Sequence, residues 1–301
     1  MGLMLAFCVL APLLDTCAKL ATATIPVGQI TTARFVVQAA LMIPIALWMR
    51  LDWRLPRQML GLLSLRAVLL ITSTFCFVAA TAVMPIADAL AIVFVEPFIL
   101  LLLGHLIFGN PVGPRRIAAA VVGFMGALLV IQPSIANYGL VAVLPLATAL
   151  LFALYMLITQ AIAATLHPVM QQLHTSWIGA VMCLPLLLLA DGTGWQTMDP
   201  VMPQGLAWAW LFGVGFWAAA SHMCMTVALR YAPASTVAPL HYLEIVTAVF
   251  LGHVVFGDFP NVLTWTGIAV IVGSGLYVIH RERITAAQAR QEPPPTRAAA
   301  Q

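Results

Sequence analysis

EPFILLLLGHLIFG at residues 96–109 and EIVTAVFLGHVVFG at residues 244–257 lie over one another when Glu96 is set against Glu244. At the same offset Gly104-His105 meets Gly252-His253, Phe108-Gly109 meets Phe256-Gly257, and Pro85 meets Pro233. Two apolar helices share leucines and valines by composition alone. Shared Glu, Gly, His and Pro at fixed spacing is more than that composition supplies, so the chain is expected to hold two related halves.

The composition says where those halves reside. The chain has 301 residues, of which 62% are hydrophobic and 8% charged, and its mean hydropathy is +1.02. A soluble domain carries about 25% charged residues, so this chain cannot cover a globule with polar surface. Soluble, disordered and fibrous proteins are excluded, and the solvent for most of the chain is lipid. A net charge of +3 without clustering argues against nucleic acid as a partner. Cys8, Cys17, Cys76, Cys183 and Cys224 lie in apolar stretches without C-x-x-C spacing, and are expected to be small buried hydrophobes rather than a disulfide or metal framework.

A span needs about 20 mostly apolar residues, and long unbroken apolar runs are helices rather than barrel strands. Ten runs are legible: roughly 2–22, 27–49, 59–80, 84–108, 114–132, 140–163, 170–190, 204–229, 233–256 and 261–280. The first lacks a charged n-region and a small-residue cleavage site, so it is expected to be a span and not a signal peptide. The fold class is therefore all-α integral membrane, ten transmembrane helices. Its units are 1–132, 137–283 and a disordered tail, 284–301, containing Pro293-Pro294-Pro295. With ten spans Arg50, Arg54, Arg57, Arg115, Arg116, Arg230, Arg281 and Arg283 fall on one side, while Asp191, Asp199 and Asp258 fall on the other. The positive side is expected to be the cytoplasm of a bacterial inner membrane, with both termini there.

Five spans per half is an odd number, so the second copy enters the bilayer upside down. Such 5+5 inverted repeats are a construction rule of secondary transporters, because exchanging the conformations of the halves reverses the side from which a central site is reached. The layout, the Ala33-Arg34-Phe35 start of span two and the Gly109…Arg115-Arg116 loop resemble the drug/metabolite transporter superfamily, EamA type. So does the run Ala238-Pro239-Leu240-His241-Tyr242-Leu243-Glu244, closed by Phe256-Gly257-Asp258-Phe259-Pro260, which is similar to the branch of bacterial S-adenosylmethionine and riboflavin carriers. The resemblance spans residues 1–283; Gly109-Asn110 departs from the Gly-Glu found in many members. It implies transport of a small metabolite, without fixing substrate or direction.

A charge at the bilayer centre costs about 2.5–3.5 kcal/mol on insertion scales, so each one is a candidate for function. Asp15 and Lys19 share a face of span one, either as a neutralising pair or facing substrate. Arg34 and Arg66 either snorkel to headgroups or hold an anionic group, with Asp15, Asp88 or Glu96 as alternative partners. Asp88 and Glu96 are expected on one broad face of span four. Glu96 precedes Pro97, whose ring frees a backbone carbonyl, which reads as an ion or proton site or as a packing kink. Glu244 is the repeat mate of Glu96 and the first choice for ion coupling. Around it His241 and Tyr242 are expected to meet substrate. His222, in the stripe Trp217-Ser221-Met225, and Tyr155 are further binding candidates, with Trp217 and Tyr155 as ring contacts. His105 and His253 are expected to pack. Gly123, Gly126, Gly267, Gly273 and Gly275 mark close helix contact, within the chain or in a homodimer.

An integral-membrane lipid-modifying enzyme would need a compact polar constellation; there is no H-x-x-x-H cluster, acidic doublet or phosphate loop. A channel would show charge rings or a filter. The reading is a secondary carrier with no catalytic residues, no metal and no cofactor, moving a vitamin- or nucleoside-like metabolite such as riboflavin. S-adenosylmethionine or an amino acid is the alternative, and two embedded carboxylates tilt the energetics toward protons.

Overall fold

The computed structural model describes residues 2–55, 57–108, 114–232, 234 and 238–291. Its helices are α1 (Gly2–Ala21), α2 (Val27–Trp48), α3 (Arg57–Thr81), α4 (Ile86–Val93), α5 (Glu96–Phe108), α6 (Pro114–Tyr138), α7 (Leu144–Ile162), α8 (Pro168–Ala190), α9 (Ala207–Tyr231), α10 (Glu244–Leu251) and α11 (Val262–Gln291). A 3-10 segment, Gly139–Val143, leads into α7 and another, Ala238–Leu243, into α10. A π turn, Gly252–Phe256, follows α10. Prolines punctuate the starts, where no intrahelical N–H is lost: Pro26 before α2, Pro85 before α4, Pro145 in the first turn of α7 and Pro168 opening α8.

Among the described residues seven helices are individually long and apolar enough to cross a membrane, and three shorter apolar ones, Ile117–Gly126, Glu244–Phe256 and Val262–Tyr277, complete ten crossings. The packing has the symmetry of a repeat. α1 lies on α9 as α7 lies on α3; α2 lies on α9 as α8 lies on α3; α1 meets α10 as α7 meets α4 and α5. The pairs α2–α8 and α6–α11 map onto themselves. Each half has five crossings, so this exchange inverts the second half relative to the bilayer.

The repeated Glu marks the same event in both halves. The fourth crossing breaks at Phe94-Val95 and restarts with Glu96 in the first turn of α5; the ninth changes from 3-10 to α-helix at Glu244. A carboxylate opening a half-helix is favoured by the positive end of its dipole. The repeated Phe-Gly also has a local cause in the second half, since Gly257 has φ 70°, the left-handed cap that ends the π turn. Its mate Gly109 and the neighbouring Asn110 lie outside the described residues, as does Pro233.

Three expectations need correction. Asp88 and Glu96 do not sit on one continuous helix, because the chain breaks at Phe94-Val95 between α4 and α5. Lys19 does not neutralise Asp15; its Nζ lies 2.9 Å from Asp258 Oδ2, donates to the Met84 carbonyl at 3.2 Å and sits over the Phe256 ring. The tail expected over 284–301 is helical through Gln291, because Thr285-Ala286-Ala287-Gln288-Ala289-Arg290 is rich in strong helix formers; 292–301, with the proline run, lie outside the described residues. The small residues of α6 and α11 pack within the chain: a Cβ at Gly126 would lie 2.9 Å from Val270 and 3.1 Å from the Gly267 carbonyl.

Candidate functional site

Seven crossings surround one cavity. α1 contributes Phe7, Leu14 and Asp15; α2, Arg34; α3, Ser73, Thr74 and Phe77; the broken fourth crossing, Phe94 and Glu96. From the second half come Thr148 and Phe152 of α7, Val214 and His222 of α9, His241 of the 3-10 segment and Glu244 of α10. Span two joins the wall through Arg34.

Arg34 and Arg66 are both buried, at 4% and 0% exposure, so neither snorkels. Arg34 donates from Nη1 to Thr74 Oγ1, and its Nη2 lies 2.7 Å from His222 Nε2. His222 Nδ1 lies 3.2 Å from Tyr155 Oη, which accepts from Arg66 Nη2 at 2.8 Å. Donor counting sets the tautomer. A guanidinium only donates, so His222 Nε2 accepts and the ring is neutral, with its proton on Nδ1 donated to Tyr155. Tyr155 Oη then takes two donors on its two lone pairs. Arg66 is otherwise held by Thr159 Oγ1 at 2.8 Å, the Gln171 carbonyl at 3.1 Å and Thr175 Oγ1. Beside it Gln172 bridges Gln38 at 2.9 Å, the His222 carbonyl at 2.9 Å and Thr226 at 2.6 Å.

The second polar pair sits opposite. His241 Nδ1 lies 3.4 Å from Glu96 Oε2, both side chains being almost fully buried. Phe7 stacks on His241 at 5.1 Å between centroids and meets His222 edge-on at 6.2 Å. Phe152 touches the same two imidazoles and stacks on Tyr155 at 5.4 Å. Asp15 and Glu244 complete the lining, so three carboxyls and one guanidinium face one space.

Asp15, Arg34, His222, His241, Glu96 and Glu244 are thus brought to one cavity, with Tyr155 and Arg66 bonded behind its wall. Lys19 and Asp88 are not among its lining residues; Asp88 interacts with Thr264, Asp258 and Lys19. Trp217 packs against the Leu14–Val214 cluster, edge-on to Phe216 at 4.9 Å, while Met225 is buried in the core and Ser221 bonds back to the Trp217 carbonyl. The side chains of Tyr242, His105, Arg115 and Arg116 lie outside what the structure describes. His253 meets Phe259 edge-on at 5.7 Å. Sequence reasoning missed Phe7, Phe152 and Thr74, which carry no signal among many apolar neighbours. It also missed Gln38 and Gln172, which the rule applied to embedded charges would have flagged as embedded amides.

The profile of the EamA-like transporter family matches residues 1–132 and 139–280, which is both halves. A riboflavin transporter of Rhizobium johnstonii is 32% identical over 220 residues, covering 72% of this chain and 69% of that protein. The pseudopaline exporter CntI of Pseudomonas aeruginosa is 27% identical over 263 residues, covering 86% and 88%. An S-adenosylmethionine uptake transporter of Rickettsia felis is 23% identical over 73% of this chain and 71% of its own. One solved crystal structure superposes with a TM-score of 0.69 over 97% of this chain and 99% of its own at 17% identity, a likeness of fold.

Proposed function

This chain belongs to the EamA-like transporter family and is a membrane transporter of a small metabolite, and on that premise we propose that its cargo is riboflavin or a closely similar flavin. Carriage is by alternating access in the inner membrane, with both termini in the cytoplasm. The observation that carries this reading is the aromatic frame of the cavity. Phe7 and Phe152 flank a space edged by two imidazoles, a guanidinium and three carboxyls, which suits a flat ring with polar edges. Three relatives named as riboflavin transporters, at 32%, 27% and 25% identity, support it.

Proton coupling is part of the proposal. Asp15, Glu96 and Glu244 share a low-dielectric space with a single guanidinium, and proton uptake relieves their mutual repulsion. Glu244, which opens α10 without a hydrogen-bond partner among those described, is the coupling group. The excess of carboxyls favours a second reading, a cationic cargo such as S-adenosylmethionine. Uptake of radiolabelled riboflavin and S-adenosylmethionine into proteoliposomes, with and without a pH gradient, separates the two. We expect gradient-driven riboflavin accumulation, abolished in Glu244→Gln while exchange of preloaded riboflavin persists. Accumulation of S-adenosylmethionine alone would replace the cargo, and equal pH dependence in wild type and variant would remove Glu244 from the coupling.

A further inference from the structure

The cavity wall holds polar atoms that the protein leaves without partners. Arg34 Nε, Glu96 Oε1 and His241 Nε2 are all buried, have no hydrogen-bond partner, and belong to residues lining the cavity. Such orphans are costly where a protein can satisfy them internally. Their neighbours show that it could: Arg34 spends Nη1 and Nη2 on Thr74 and His222, and Glu96 spends Oε2 on His241. The atoms left wholly unused are Arg34 Nε, a donor, Glu96 Oε1, an acceptor, and His241 Nε2, whose role follows the tautomer. Arg34 and Glu96 are linked through common rings, because His222, the partner of Arg34, and His241, the partner of Glu96, touch the same Phe7, at 6.2 and 5.1 Å.

We propose that this pair reads a lactam edge on a planar heterocycle: Arg34 Nε–H donates to the ring carbonyl and Glu96 Oε1 accepts from the adjacent ring N–H, while Phe7 and Phe152 take the ring faces. The chain Arg66–Tyr155–His222 preorganises the donor. By making His222 Nε2 an acceptor, it engages Nη2 and leaves Nε as the nitrogen of the guanidinium without a partner. A cationic ligand would satisfy Glu96 but not Arg34 Nε–H, whereas a lactam satisfies both. The proposal rests on the reading of the protein as a flavin carrier and assigns the part of the ring that is recognised.

The test is equilibrium binding to the full chain in lipid nanodiscs, read by ligand fluorescence, with riboflavin, N3-methylriboflavin and lumichrome, which keeps the imide edge and lacks the ribityl chain. Methylation replaces the N–H with an apolar group facing a carboxylate, and a site built for a hydrogen bond rejects such an analogue strongly. N3-methylriboflavin should bind at least about tenfold more weakly than riboflavin, with lumichrome within about tenfold of it. In Glu96→Ala riboflavin binding should weaken and the methylation penalty should shrink to about twofold. The ligand comparison in the wild-type chain stands alone if that variant does not insert. Equal binding of riboflavin and its N3-methyl form, or an undiminished penalty in Glu96→Ala, overturns the edge assignment and leaves flavin carriage standing. Lumichrome bound without riboflavin upholds the edge and overturns riboflavin as cargo. Failure of both to bind overturns both.

Discussion

Arg34 and Arg66 are equally hidden from solvent and differently employed. Around Arg66 each nitrogen has a partner: three hydroxyls, a carbonyl and the Tyr155 ring face at 4.5 Å meet the guanidinium, and these come from α7 and α8 of the opposite half. Around Arg34 the protein supplies one hydroxyl and one imidazole and leaves Nε without a partner, in a residue that lines the cavity. The difference teaches how a buried cation should be read. One whose donors are consumed by the opposite half bolts the two halves together, and one with a donor to spare awaits a ligand.

The sharpest way to break that contrast is to delete each side chain. Arg66→Ala strips partners from Tyr155, Thr159, Thr175 and the Gln171 carbonyl at once. Each buried polar group left unpaired costs about 1–3 kcal/mol, so the expected result is loss of most folded, monodisperse carrier, read by size-exclusion yield and thermal midpoint. Arg34→Ala leaves Thr74 and His222 short of a partner and Asp15 short of its opposite charge, all beside an existing cavity that water can enter. It should insert and fold nearly as wild type, with substrate affinity lower by about 10–100-fold. Equal collapse of both variants would erase the distinction.

The sequence displays the same contrast unevenly. Ten crossings, two halves and their inversion were legible because apolar length, arginine placement and the Glu96/Glu244 repeat are properties of the chain itself. Glu96, Glu244, Arg34 and His241 were legible as candidates because lipid rejects charge. Partner choice was not. Asp15 and Lys19 look like a pair at helical spacing, yet Lys19 reaches Asp258 from a distant segment, and no local rule carries that information. Asp88 and Glu96 looked coplanar because helical periodicity was assumed across a break that has no glycine to announce it. The aromatic wall was invisible for a different reason: Phe7 and Phe152 differ from lipid-facing phenylalanines only by tertiary position.

Lys19 sharpens the comparison from outside the cavity. Its pair with Asp258, the Met84 carbonyl bond and the Phe256 contact tie the far end of α1 to the turns before α4 and after α10. Both side chains keep partial exposure, 16% and 32%, and such pairs are worth at most about 1 kcal/mol. Lys19→Met and Asp258→Asn should therefore leave folding unchanged and alter the transport rate by about two- to fivefold, equally in the single and double variants, as a shared contact requires. A loss as large as that of Arg34→Ala would make Lys19 a ligand group; additive single effects would show that Lys19 and Asp258 do not act as a pair.

The smallest expected effect lies at the opposite end, where His167 precedes α8. Its Nδ1 accepts the Val169 N–H at 3.3 Å, so the ring caps the helix only while that nitrogen is unprotonated. Partial burial, then the charge of Arg230, holds the His167 pKa below its ordinary value. The sign follows: the unfolded chain takes the proton more readily, so the cap contributes fully above the ordinary histidine value of about 6.5 and is lost as pH falls below it through the lowered folded value. Asn caps through a side-chain oxygen that does not titrate in this range. His167→Asn should match wild type in thermal midpoint at pH 7.5 and lose slightly less than wild type on going to pH 5.5. An equal or larger acid loss in the variant would show that the cap is not what titrates there. The midpoint is the right readout because the His167 imidazole, which bonds to the Val169 N–H, is not among the cavity-lining side chains or those bonded to Arg66, so transport at pH 7.5 should not distinguish the two proteins.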